Sequence, residues 1–110
     1  MEVTITARRC TVPDPVRQRT DRLMRRIDRY EARVTSAAVN FDDDHAKKIV
    51  EARLAVAGGP PLLAHGEGPT FRSALDGAIQ RLERQLKRQR QRRRRRRVAD
   101  RASAGRSAAS

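Results

Sequence analysis

The stretch TFRSALDGAIQRLERQLKRQR, residues 70–90, repeats its apolar side chains at three- and four-residue steps. Phe71, Leu75, Ala78, Ile79, Leu82 and Leu86 fall on one stripe of a helix that turns about 100° per residue. Thr70 stands just ahead of the stripe and is the expected N-cap, because its hydroxyl can accept a bond from a free N–H of the first turn. Arg81, Arg84 and Arg88 share the polar face. A helix of this kind must lay its stripe on another element, and the residues upstream supply one.

IVEARLAVA, residues 49–57, alternates, with Val50, Ala52, Leu54 and Val56 on one side. A two-residue period marks a half-buried strand. SAAVNFD, residues 36–42, alternates likewise, with Ala37, Val39 and Phe41 inward. LLAHGEG, residues 62–68, is a weaker strand, diluted by Gly66 and Gly68. The polar DDDHAKK and the AGGPP between these runs are turns. Links this short predict an antiparallel meander of three strands. Further upstream, residues 15–32 carry Val16, Thr20, Leu23, Ile27 and Tyr30 in one stripe. Asp14 is the expected cap there, with Pro15 at the first helical position. Arg19, Arg22, Arg25, Arg26, Arg29 and Arg33 fall on the opposite arc. EVTITA, residues 2–7, alternates as a first strand, with Val3, Ile5 and Ala7 to one side. The order is β-α-β-β-β-α. It predicts an α+β domain, a four-stranded sheet with two helices packed on one face and their arginine faces merged into one basic surface.

The chain has 110 residues, room for one domain and a short tail, and a formal charge of +13. Residues 81–97 hold ten arginines and Lys87 against Glu83, so most of the charge sits on one segment. Such a block implies a polyanionic partner, with nucleic acid ahead of an anionic membrane surface. No apolar run approaches the ~20 residues that span a bilayer. The N-terminus lacks the apolar core of a secretory signal, and the lone Cys10 fits a reducing compartment. The expectation is a soluble cytoplasmic protein. Residues 87–97 hold no apolar side chain, and arginines at i,i+4 repel. The last helix is therefore expected to run to about residue 90 and fray through the six arginines at 92–97. ADRASAGRSAAS, residues 99–110, reads as disordered. This divides the chain into a folded domain, 1–90, and an arginine-rich, largely disordered tail, 91–110.

Catalytic patterns are lacking: no Gly-rich phosphate loop, no nucleophile elbow, no paired carboxylates in a cleft-forming context. Asp42, Asp43, Asp44 and His45 read as a polar turn, with no second ligand cluster nearby in sequence. His65 reads as structural or exposed, and Cys10 as an ordinary half-buried thiol. The expectation is no enzyme, no metal, no cofactor and no small-molecule substrate. The only aromatics, Tyr30, Phe41 and Phe71, occupy stripe or core positions, which leaves no platform for base stacking. RNA would then be held through phosphate neutralisation and read by shape. The expected contacts are Arg22, Arg25, Arg26 and Arg29 in the first helix, and Arg81, Arg84, Lys87, Arg88, Arg90 and Arg92 in the second.

The ordered series of motifs resembles the bacterial ribosome hibernation-promoting factors, also called ribosome-associated inhibitors. RSALDGAIQRLERQLKR and RRIDRYEARVTSAAVNF carry the resemblance. Ala74, Leu75 and Asp76 stand at the family's "AID", with Leu82 and then Gln85, Leu86 and Lys87 completing its second-helix motif. Arg26, Ile27, Asp28 and Tyr30 match the end of its first helix, Gly58 and Gly59 the turn before the last strand, and Glu67 and Gly68 the approach to the second helix. The resemblance implies a double-stranded-RNA-binding-domain-like fold with an added strand. It implies a seat on the small ribosomal subunit and its ribosomal RNA, between head and body. There it would overlap messenger RNA and the A- and P-site transfer RNAs, block translation sterically and stabilise idle ribosomes. Long members carry a C-terminal dimerisation domain for which 110 residues leave no length. The expectation is a short form, monomeric off the ribosome, that pairs ribosomes only with another factor's help. The chain departs from the family in using 23 arginines and 3 lysines where the family mostly uses lysine. It also has Arg72 at an aromatic position, with Phe71 one place earlier, and an arginine run longer than the usual tail. The rival readings are a general double-stranded RNA or DNA binder driven by that run, and a structural ribosomal or assembly protein.

Overall fold

The protein is described here by a computed structural model covering residues 1–109. Its elements are β1 (Glu2–Arg8), α1 (Asp14–Tyr30), β2 (Val34–Asp44), β3 (Lys47–Val56), β4 (Leu62–Gly68) and α2 (Phe71–Ala109). The sheet has the order β1-β2-β3-β4. β2, β3 and β4 form the antiparallel meander, in register at Phe41 with Val50 and at Ala52 with Ala64. β1 pairs in parallel with β2, Ile5 opposite Val39, so α1 is the crossover between them. α1 packs on β1 and β2, α2 packs on β3 and β4, and the two helices touch.

Alternation does what it promises. Val39, Phe41, Val50, Ala52 and Leu54 are wholly buried on the helix side of the sheet. Met24 and Ile27 meet them from α1, and Leu75, Ile79, Leu82 and Leu86 from α2. Met24 lies beside the stripe read for α1 and completes it. Thr20 is buried because its hydroxyl donates to the Val16 carbonyl at 2.8 Å, which satisfies its one polar group inside the helix. On β1, Val3 and Ile5 pack on the core, but Ala7 near the strand's end is exposed. Phe71 meets Phe41 edge-on, centroids 5.7 Å apart.

Caps differ in quality. Thr70 is the N-cap of α2. Its Oγ1 accepts the Ser73 N–H at 3.1 Å, and Ser73 Oγ accepts the Thr70 N–H at 3.3 Å, a reciprocal pair. At α1 the cap position is Pro13, not Asp14, and no side chain caps it. Asp14 instead lies in the first turn, where its negative charge complements the positive end of the helix dipole.

The largest departure from expectation is the length of α2. The helix was expected to fray beyond residue 90, yet it continues to Ala109. Arginine and alanine are strong helix formers. A helix nucleated by its packed half adds further turns at little cost. The 39 residues make the molecule 66 Å long and only 24 × 17 Å across. Ser110, the end of the segment read as disordered, lies outside the described residues.

Candidate nucleic-acid interface

Arginines from α1 and α2 meet where the two helices lie together, and not all of them face water. Arg19 makes a bidentate pair with Asp76, Nε to Oδ1 at 2.8 Å and a terminal nitrogen to Oδ2 at 3.0 Å. Arg26 pairs with Glu83 across the same seam. The Arg19 fork and the single Arg26–Glu83 contact tie the two helices to each other.

Along the outer side of α2, Arg81 donates to the His65 carbonyl at 2.5 Å and Gln85 to the Leu63 carbonyl at 2.7 Å. The two sit one helical turn apart, and both carbonyls belong to the edge strand β4. An edge strand presents unpaired backbone groups, and here two helix side chains occupy them.

Past Leu86, where packing was expected to stop, the polar residues go on packing. Arg90 lies over the Tyr30 ring, 5.1 Å from its centroid, and donates to the Tyr30 carbonyl at 3.3 Å. Arg93 pairs with the buried Glu31 at 2.6 Å. Burial alone would push the Glu31 carboxyl up. The Arg33 N–H, the Arg93 guanidinium and the charges of Arg93 and Arg90 outweigh it and hold the carboxyl below the usual range. The arginine run therefore begins docked on the body.

Of the ten contacts expected from sequence, Arg26, Arg81 and Arg90 are engaged within the molecule. The other seven are exposed: Arg22, Arg25 and Arg29 on α1, and Arg84, Lys87, Arg88 and Arg92 on α2. None has an ion-pair partner among the described residues. Arg84 and Lys87 also flank a groove floored by Ile27 and Tyr30. At ~1.5 Å per residue, each basic row extends for roughly 10–12 Å along its helix.

The acidic Asp42, Asp43 and Asp44 lie at the end of the sheet where both helices begin. Asp42 takes Arg9 in a bidentate pair, 2.7 and 3.0 Å, and Asp43 takes Lys48 at 2.5 Å. These two carboxylates, read from sequence as part of a turn, lie at the end of β2 and are spent on cations of the chain itself. Arg9 holds the half-buried Asp42 carboxyl below its ordinary range. Glu67 bridges Lys47 and His65, at 2.8 Å each. Cys10 is half-buried, its Sγ 3.6 Å from the Phe41 carbonyl.

Sequence reasoning missed Arg93 and Glu31. The helical phase of Leu75, Ile79, Leu82 and Leu86 continues through Gln89, Arg90 and Arg93, so the signal was present. It went unread because those positions carry polar groups, whose packing depends on partners about 60 residues away.

Comparison with known proteins agrees with this architecture. Residues 3–94 match the family described as Sigma 54 modulation protein / S30EA ribosomal protein. The ribosome hibernation promoting factor of Azotobacter vinelandii is 30% identical over 86 residues, 78% of this chain and 79% of the relative. That of Pseudomonas putida is 27% identical over 88 residues, 80% and 85% of the two chains. A ribosomal subunit interface protein from Coxiella burnetii shares the fold, with a TM-score of 0.76 at 22% identity over 82% of this chain and 98% of that one. The N-terminal domain of Thermus thermophilus Protein Y superposes with a TM-score of 0.71 at 27% identity, covering 80% and 98%. The ordered motifs, the β-α-β-β-β-α topology and the match across residues 3–94 agree, and the chain belongs to the Sigma 54 modulation protein / S30EA ribosomal protein family, that of the ribosome hibernation promoting factors.

Proposed function

We propose that this chain is a cytoplasmic, ribosome-associated inhibitor of translation that acts by occupancy and not by chemistry. It sits on the small subunit in the channel of messenger RNA and of A- and P-site transfer RNA, and it holds idle ribosomes. The observation that carries the reading is the exposed double row of unpaired cations on one side of a fold of this family. Arg22, Arg25 and Arg29 form one row; Arg84, Lys87, Arg88 and Arg92 form the other. Arg26, Arg81 and Arg90 contribute by fixing the helices and the edge strand that carry those rows. Ribosomal RNA is an A-form polyanion whose deep groove excludes side chains, so two parallel rows of guanidinium groups would engage its phosphates and its shape.

The test is co-sedimentation with purified small subunits at physiological salt, with and without messenger RNA and initiator transfer RNA. The expected result is saturable one-to-one binding that the transfer RNA displaces. The double charge reversal Arg84→Glu/Arg88→Glu should abolish it and leave the melting curve intact. Binding that is unsaturable, or indifferent to transfer RNA, would sink the reading.

A further inference from the structure

At the far end of the helix pair, Arg29, Arg33, Arg90, Arg93, Arg94 and Arg97 line one recess together with Glu31. They come from the end of α1, the entry to β2 and the docked part of α2. Six arginines and one carboxylate thus share this recess. Arg93 satisfies Glu31, and Arg90 lies over Tyr30. Arg29, Arg33, Arg94 and Arg97 have no acidic partner among the described residues. Arg93 also keeps a buried Nε without a partner. Like charges gathered in this way repel unless an anion offsets them. The recess measures about 430 Å³, many times the ~30 Å³ share of one water in the liquid.

We propose that this recess is a second anion site, which shares only Arg29 with the double basic row, and that it takes a short linear polyphosphate. Two features favour that ligand over a nucleic-acid strand. The arginines line one concavity and come from three elements, so one compact, flexible, multiply charged chain can meet several at once. A rigid A-form duplex instead lies along a ridge. The one aromatic at the recess, Tyr30, already carries Arg90 over its ring, so no stacking site is offered to a base. The recess thus recognises phosphates linked in a row, whether free as inorganic polyphosphate or attached to a nucleoside. Occupancy would also clamp Arg94 and Arg97 to the body and fix the direction in which α2 projects.

Calorimetric titration of the full chain at ~0.15 M salt tests this with inorganic tripolyphosphate, a nucleoside triphosphate and orthophosphate. The expected result is one site for tripolyphosphate, with the nucleoside triphosphate within about threefold of it and orthophosphate weaker by about tenfold or more. Arg33→Ala/Arg97→Ala should weaken tripolyphosphate by about tenfold. Arg8→Ala/Arg53→Ala removes the same charge from the sheet side of the molecule and should leave binding nearly unchanged. Equal weakening by both pairs would mean diffuse charge attraction, and would overturn the site. So would the absence of binding, or orthophosphate binding as tightly as the chain. Ribosome co-sedimentation reads the double basic row, so either proposal can fail alone.

Discussion

At Gly66 one missing methyl group sets how closely α2 can approach the sheet. A Cβ there would overlap the Ala74 carbonyl and stand 2.7 Å from the Ala78 nitrogen, both helix backbone atoms that cannot turn aside. Gly66→Ala should therefore cost about 1–3 kcal/mol in urea denaturation. Gly77 gives the opposite sign, since a Cβ there would meet nothing within 4 Å. Gly77→Ala should stabilise by about 0.5–1 kcal/mol through helix propensity alone. Glu31 makes a residue-scale prediction in pH. Its carboxyl lies below the ordinary 4.5 in the folded state, so the unfolded chain binds the proton more tightly. Its stabilising contribution is fully present above that value and is lost as pH falls through the lowered folded value. Glu31→Gln should cost about 1–3 kcal/mol at pH 7. The gap between the wild-type and variant stability curves should close below pH 4.5. A gap that persists unchanged at lower pH would mean that the Glu31–Arg93 pair carries no such energy.

The strands and the packed half of α2 were legible because each buries one face and so repeats with the period of its own geometry. Val50, Ala52, Leu54 and Val56 are all buried, as their alternation requires, and the stripe from Leu75 to Leu86 lies wholly in the core. The strand at residues 62–68 was legible despite Gly66, but the role of that glycine was not, because a residue that weakens a strand in isolation here admits a helix. The course of α2 beyond residue 90 was illegible for a different reason. Repulsion between neighbouring arginines argues for fraying, whereas docking of Arg90 and Arg93 and the propensity of arginine argue for helix, and the docking partners are distant in sequence. Arg95→Pro separates these forces. Proline removes a backbone donor and clashes with the preceding turn, breaking a helix wherever one exists. Far-UV circular dichroism should lose part of its helical signal, while the thermal midpoint stays in place because Arg95 is exposed and touches no core residue. An unchanged spectrum would mean that the run is already coil in solution.

On the scale of the whole molecule, the question is whether the body or the projecting helix drives binding. Packing against the body reaches Arg93 and stops there, since residues 94–102 are all exposed. Removing residues 94–110 takes away six arginines and Asp100 and lowers the formal charge from +13 to +8. It leaves the core, the Glu31–Arg93 pair and the whole double row untouched. If the body binds, the truncated chain should melt at the wild-type temperature. It should also keep saturable one-to-one binding to small subunits, weakened by no more than about tenfold. Its dependence on salt should become shallower, because each phosphate that is no longer neutralised takes nearly one unit from the slope of log K against log salt. A tail-driven binder behaves otherwise: the truncation would remove most of the affinity and the saturability would never have been there. The salt series decides more than a single affinity does. Long-range charge attraction and seated phosphate contacts both weaken with salt, but only a seated surface keeps its stoichiometry as the salt rises. One-to-one binding that survives both the truncation and ~0.2 M salt would place the energy in the two helix rows.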